Sequence, residues 1–427
     1  MFQSFDFMRT PIISLLLIFV IQFMSFAQND LKESIITISK NKPSIPLIID
    51  VQLNDRLQLE VIASLETRSN RAPITIYNGK EVYQLSVKKR IGDTIVYQFP
   101  AQDAEWRIAY NEHFSEARGW WINYNKKTPV RYPIHLTNAF YEPTDEVTNP
   151  PTQISGRWKV LFEPGTPNEE VLVGVFQQEM NGRIFGSFLS ETGDYRYLHG
   201  YAANGKLHLQ TYTGYWAFVV EAQLNSNNEM TGVFYSGGKS STSFKATRDE
   251  TVQLRNEAEL TYLIKRDERV VLNNLIKLNG RKTNLDFSQK GQVTLIQIMG
   301  TWCPNCIDET HLLSALKETY GPKGLEIIAL GFEVGADSKK QRSRLKKFAK
   351  DLEVNYPVYL AGTSSKEAAS AYFPMLNGIM SFPTSILVDR QGKIIAIHTG
   401  FSGPATGTAY TELVEKFKQE IEGALNE

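Results

Sequence analysis

The sequence predicts a multidomain chain in which two antiparallel all-β regions precede a C-terminal α/β sandwich. Three observations carry this prediction. The chain has 427 residues, more than one core usually organises, so two or three domains are expected. As far as about residue 250, turn dipeptides punctuate short runs of β-branched and aromatic residues. From about Val270 onward, buried-strand patterns alternate with helical ones. Hydrophobic residues make up 42% and charged residues 22%, an ordinary globular composition that excludes wholesale disorder. The 46 basic and 46 acidic residues cancel, which removes the electrostatic case for a nucleic-acid partner.

In chain order, residues 1–27 read as a secretory signal. Arg9 precedes an apolar run from Pro11 to Phe26, and Ser25-Phe26-Ala27 suits signal peptidase, placing cleavage after Ala27. The expected location is the periplasm. A bilayer span needs about 20 apolar residues, so this run is short for one; an uncleaved inner-membrane anchor is the alternative.

Residues 28–150 form the first β-rich region, with strands expected at Leu57–Ile62, Ala72–Tyr77, Val82–Val87 and Thr94–Phe99. Asn78-Gly79 marks a hairpin. Trp106, Trp120 and Trp121 are expected to anchor its core, and Tyr141–Pro151, with three prolines, to be a linker. Within residues 151–250, turn dipeptides at Asn181, Asn204 and Asn227 recur every 23 residues, the period of a β-meander closing as a barrel or sandwich. Its candidate core is Trp158, Phe162, Phe176, Phe188, Tyr212, Trp216, Phe218 and Phe234. His199 and His208 stand alone and are assigned structural roles. Residues 251–269 are expected to be a polar helical connector, the helix running from Glu250 to about Lys265.

Residues 270–427 complete the chain. Strands are expected at Val293–Met299, Leu325–Phe332, Thr384–Val388 and Lys393–Thr399, and helices at Pro304–Tyr320, Lys339–Leu352 and Ala409–Leu425. The basic run Lys339, Lys340, Arg342, Arg344, Lys346, Lys347 and Lys350 is expected to be a solvated helix face behind the buried stripe Leu345, Phe348 and Leu352.

Both cysteines of the chain lie in Cys303-Pro304-Asn305-Cys306. Exported proteins normally use cysteine for structural staples, but this pair closes a loop too small to constrain the unfolded chain much. Four-cysteine zinc or iron–sulfur sites are excluded by number, and His311 lies around the helix from the pair. The pair sits where a buried strand ends and a helix begins. There the helix dipole favours a negative charge on Cys303, and thiolate is the attacking species in disulfide exchange. Cys303 is therefore the candidate nucleophile and Cys306 the resolving thiol. Trp302, Pro304, Phe382 and Pro383 are the candidate substrate contacts. Pro383 opens its strand through either a cis bond facing the thiols or an ordinary trans bond. Glu309, three residues after Cys306, either relays the proton of Cys306 from a buried position or only complements the helix dipole.

Met299-Gly300-Thr301-Trp302-Cys303-Pro304-Asn305-Cys306, Ser381-Phe382-Pro383-Thr384 and Asp389-Arg390-Gln391-Gly392-Lys393 together resemble the TlpA-like branch of the thioredoxin superfamily. The resemblance covers roughly residues 270–427. It implies a thioredoxin fold, thiol–disulfide oxidoreductase activity at Cys303 and Cys306, Pro383 in cis, and a functional Glu309. Gln297 stands where thioredoxin has an aspartate, so that proton relay is missing. The segment His398–Gly407 resembles versions of the domain that follow N-terminal β-domains. No cofactor is expected beyond the Cys303–Cys306 disulfide. The expected partners are disulfide-containing proteins and a membrane electron donor; the β-domains' ligand stays unnamed. A peroxidase is disfavoured, because Cys303 stands where its motif needs threonine relative to Cys306. Two alternatives remain open: a redox domain subordinate to a β-domain binding module, and a disulfide oxidase or isomerase.

Overall fold

Eight antiparallel strands between Ser44 and Asn138 curl into a closed barrel in the computed structural model of the chain. The structure describes residues 44–66, 72–111, 116–126, 128–138, 153–225, 228–265, 268–289 and 291–427. The expected signal at 1–27 and the linker Tyr141–Pro151 lie outside the described residues. Alternation shapes the barrel wall: Leu47, Ile49 and Val51 turn inward while their neighbours face out. Closure comes from the first strand pairing with the last, Ile49 opposite Leu136. Trp106 and Trp121 are buried as expected, but Trp120 is 49% exposed. Adjacent residues of a strand point to opposite faces, so Trp120 and Trp121 cannot both enter the core. The hairpin loop is Gly79-Lys80, with Asn78 opposite Glu81 and Gly79 at φ +63°.

The second region also closes, as a barrel rather than a sandwich. Gly156–Phe162 pairs with Ser240–Arg248, and Glu170–Gln178 pairs with both Gly156–Phe162 and Arg183–Ser190. Trp158, Phe162, Phe176, Phe188, Phe218 and Phe234 fill its interior, whereas Trp216 is only half-buried. Tyr212 departs from expectation and faces the first barrel, accepting a hydrogen bond from Trp106 Nε1 at 2.7 Å. Asn78 makes the reciprocal link, accepting from the Tyr212 backbone N–H at 2.9 Å. The barrels thus share packing at one seam.

The connector at 251–269 is not a helix. Its described part is irregular, with turns and bends around one 3₁₀ turn at Glu257–Glu259. Its backbone donors are used by the C-terminal domain instead: Tyr262 N–H bonds Asn377 Oδ1 at 2.8 Å and Ile264 N–H bonds the Met375 carbonyl at 2.9 Å. Tertiary hydrogen bonds override the local helix preference.

The C-terminal domain comprises β1 (Val271–Lys277), β2 (Lys282–Asp286), β3 (Val293–Met299), α1 (Pro304–Tyr320), β4 (Leu325–Glu333), α2 (Ser338–Asp351), β5 (Val358–Thr363), α3 (Lys366–Ser370), β6 (Thr384–Val388), β7 (Ile394–Thr399) and α4 (Thr408–Asn426). The sheet order is β2-β1-β5-β4-β3-β6-β7, with β3, β4 and β5 parallel and the other pairings antiparallel. Every residue of β3 is buried, as a central strand covered on both faces requires. The basic face of α2 is solvated only in part. Arg344 Nε bonds Asp103 Oδ2 at 2.8 Å and Lys347 Nζ bonds the Phe99 carbonyl at 2.6 Å, docking α2 on the first barrel. Lys346 and Lys350 stay exposed. Among the described residues, no helix is long and apolar enough to cross a membrane.

Candidate redox site

The two thiols meet where β3 hands over to α1. Cys303 is the helix N-cap and Pro304 occupies the first turn, where a missing N–H costs nothing. Cys303 Sγ accepts the Cys306 backbone N–H at 3.2 Å and donates to the Phe382 carbonyl at 3.4 Å. Both cysteines are free thiols; Cys303 retains 5% exposure and Cys306 none. The Phe382–Pro383 bond is cis, so the structure selects that alternative. Trp302 and Phe382 stand edge-to-face beside the pair, with ring centroids 5.3 Å apart.

Burial dominates the electrostatics. It pushes the Cys306 thiol well above its usual range, and the neighbouring Cys303 adds to the shift. Glu309 is fully buried rather than a surface dipole partner. Gln297 Nε2 donates to its Oε2 at 2.8 Å and Ser385 Oγ to its Oε1 at 2.9 Å. Burial still raises its pKa to about 7, against those hydrogen bonds and the charge of His398. Gln297 also reaches the Cys306 carbonyl at 3.4 Å and accepts from Tyr356 at 3.2 Å. The amide in the aspartate position therefore organises the space behind Cys306.

A second buried carboxylate lies outside the motif. Glu333, the last residue of β4, accepts both the backbone N–H and the hydroxyl of Thr301 at 2.8 Å, and burial raises its pKa to about 7. Trp302 Nε1 bonds the Phe332 carbonyl at 2.8 Å. Together these contacts fix the loop that delivers Cys303. The sequence does carry a signal for it: an acidic residue closes the apolar run Ile327–Phe332 of β4.

The second barrel reaches the site as well. Arg196, almost wholly buried, forms ion pairs with Asp308 of α1 and Glu81 of the first barrel, and bonds the Pro304 carbonyl at 3.1 Å. Asn305 Nδ2 donates to the Asp194 carbonyl at 3.1 Å, and Ser381 Oγ to the Thr192 carbonyl at 2.9 Å. No local sequence pattern announces these partners, because they join residues more than a hundred positions apart.

On the far side of Glu309, His398 of β7 pairs with Ser385 across the sheet. Its Nε2 lies 2.7 Å from Glu420 Oε2 and its Nδ1 3.5 Å from Glu257 Oε1. Burial alone would lower its pKa, but the two carboxylates outweigh burial and raise it to about 9. The stability His398 adds is complete below its ordinary pKa of 6.5 and is lost as pH rises through about 9. His398→Gln should therefore flatten the alkaline limb of stability against pH, measured by denaturant melts from neutral to alkaline pH. His199 and His208 belong to no group of three or more metal-ligating side chains among the described residues.

Comparison with known proteins adds relatives for this part of the chain. The Redoxin family model matches residues 262–413. The thiol-disulfide oxidoreductase ResA of Bacillus thuringiensis is 34% identical over 119 residues, spanning 28% of this chain and 60% of its own. The thioredoxin-like protein YneN of Bacillus subtilis is 29% identical over 123 residues, spanning 29% of this chain and 65% of its own. The chain thus spans less than two thirds of the length of these relatives. A solved thiol:disulfide interchange protein from Chlorobium tepidum overlaps 37% of this chain and 99% of its own, at 22% identity and a TM-score of 0.28. Both barrels precede the residues matched by the family model.

Proposed function

We propose, for a chain whose C-terminal domain belongs to the thioredoxin superfamily, that it is an exported thiol–disulfide oxidoreductase that reduces protein disulfides. The observation that carries this is the Cys303 thiol, N-capping α1 with Cys306 directly behind it and cis-Pro383 alongside. In the reaction, the Cys303 thiolate attacks one sulfur of the substrate disulfide, and the other sulfur leaves as a thiol after taking a proton. Cys306 then attacks Cys303 Sγ, and the substrate's second sulfur leaves. One disulfide is reduced to a dithiol while Cys303 and Cys306 are oxidised to a disulfide, so two electrons and two protons pass to the substrate.

Glu309 supports the second step. Cys306 is buried and holds its proton tightly, so its attack needs an acceptor inside the protein, and Glu309 lies one helical turn further on. A membrane-bound electron donor, facing the periplasm, would return the pair to dithiol. The test is trapping. Cys306→Ser cannot resolve the mixed disulfide, so covalent adducts on Cys303 should accumulate with envelope proteins and vanish when Cys303 is also replaced. Absence of any adduct would remove the reductase proposal.

A further inference from the structure

We propose that the second barrel reads the substrate: its aromatic wall selects an extended polypeptide segment whose cysteine is flanked by apolar residues. This rests on the disulfide exchange proposed above and names the substrate class of that site. Cys303 lines a cavity of about 360 Å³ between the redox domain and the second barrel. One wall is Trp302 and Phe382. The other is Tyr195, Tyr215, Trp216 and Phe218, all from the second barrel. The barrel loop that carries Thr192 and Asp194 is seated closely on the redox domain. A Cβ at Gly193 would lie 2.3 Å from Asn305 Nδ2, and one at Gly400 would lie 2.6 Å from the Thr192 carbonyl carbon.

Four properties of the cavity define its occupant. A thiol exposed by only 5% beneath a second domain is out of reach of a convex folded surface. The volume sits near the lower end of ligand pockets, roughly 300–1,000 Å³, which fits a few side chains of one strand of chain. The charge is wrong for a small zwitterionic disulfide. Lys366, exposed at the rim, is the only lysine or arginine among the described residues of the lining, and the Asp194 carboxylate is already held by the backbone N–H groups of Gly403 and Arg196. Finally, Asn305 in the lining is already engaged, its Nδ2 donating to the Asp194 and Phe401 carbonyls, so this side chain leaves no donor for a polar or anionic occupant.

The test offers the reduced full-length chain three disulfides. One is a linear peptide dimerised through a cysteine flanked by Leu and Phe, the second the same peptide with Asp flanks, and the third a folded protein with a surface disulfide. The Leu/Phe peptide should be reduced with a kcat/KM at least about tenfold above the other two, the scale on which an apolar pocket discriminates. In Trp216→Ala the ratio between the two peptides should collapse towards one, while Trp216→Phe should keep it. Equal rates on all three probes, or a peptide ratio unchanged in Trp216→Ala, would overturn the barrel's role while leaving disulfide exchange intact. No exchange with any probe would instead sink the exchange proposal beneath it.

Discussion

Arg196→Met is expected to lower the unfolding free energy by about 3–5 kcal/mol, the usual cost of removing one partner from a buried ion pair. The guanidinium is 4% exposed, and its partners Glu81 and Asp308 retain only 11% and 13%. Methionine fills similar volume but leaves two carboxylates in a poorly solvated place. Burial holds Asp308 at a pKa of about 6 even against the charge of Arg196, which shows how dry the position is. The measurement is chemical denaturation of wild type and variant near neutral pH. Adding Glu81→Gln and Asp308→Asn to Arg196→Met should recover most of the loss, because neutral amides carry no charge to strand. A loss below about 1 kcal/mol for Arg196→Met alone would place the cluster with exposed ion pairs, contrary to its burial.

The second large effect concerns Glu309. Its pKa is raised from 4.5 to about 7, so the folded state binds more protons than the unfolded chain between those values. Wild-type stability should fall as pH rises across that window, and the full penalty, on the order of 3 kcal/mol, applies above it. Function runs the other way. Release of substrate from the mixed disulfide should accelerate as pH rises through about 7, because ionised Glu309 is then free to take the Cys306 proton. Glu309→Gln should remove that pH step and slow release by roughly 10²-fold, the lower range for a positioned general base. Single-turnover kinetics against pH would measure both. A variant that kept the wild-type profile would confine Glu309 to a structural role.

The C-terminal domain was the most legible part of the sequence. β3, α1 and β6 fall on their expected residues, since an unbroken apolar run, an N-cap followed by proline, and an X-Pro strand entry are all local signals. The short hairpin of β1 and β2 and the helix α3 went unseen, because a polar edge hairpin and a single helical turn carry little periodicity. In the barrels, turn dipeptides locate strands but do not assign faces, which is why Trp120 lies outside its barrel and Tyr212 belongs to the other core. The thiol pair is legible from spacing, whereas the residues alone leave open the cis bond of Pro383 and the role of Glu309, which only the family resemblance implies. Arg196, Asp194, Asn305 and the aromatic wall are not legible, because their meaning depends on domain docking, which leaves no short-range pattern. The connector shows the same limit, its helix-favouring composition giving way to hydrogen bonds with Met375 and Asn377.

The shared guanidinium also bears on how such a chain can evolve. Glu81, Arg196 and Asp308 come from three different domains and converge on one point beside the thiols. Recombination that exchanged any one domain for a foreign copy would strand a charge there unless the incoming copy already carried the matching residue. An exchange of one domain alone is therefore expected to cost stability unless the matching charge changes with it.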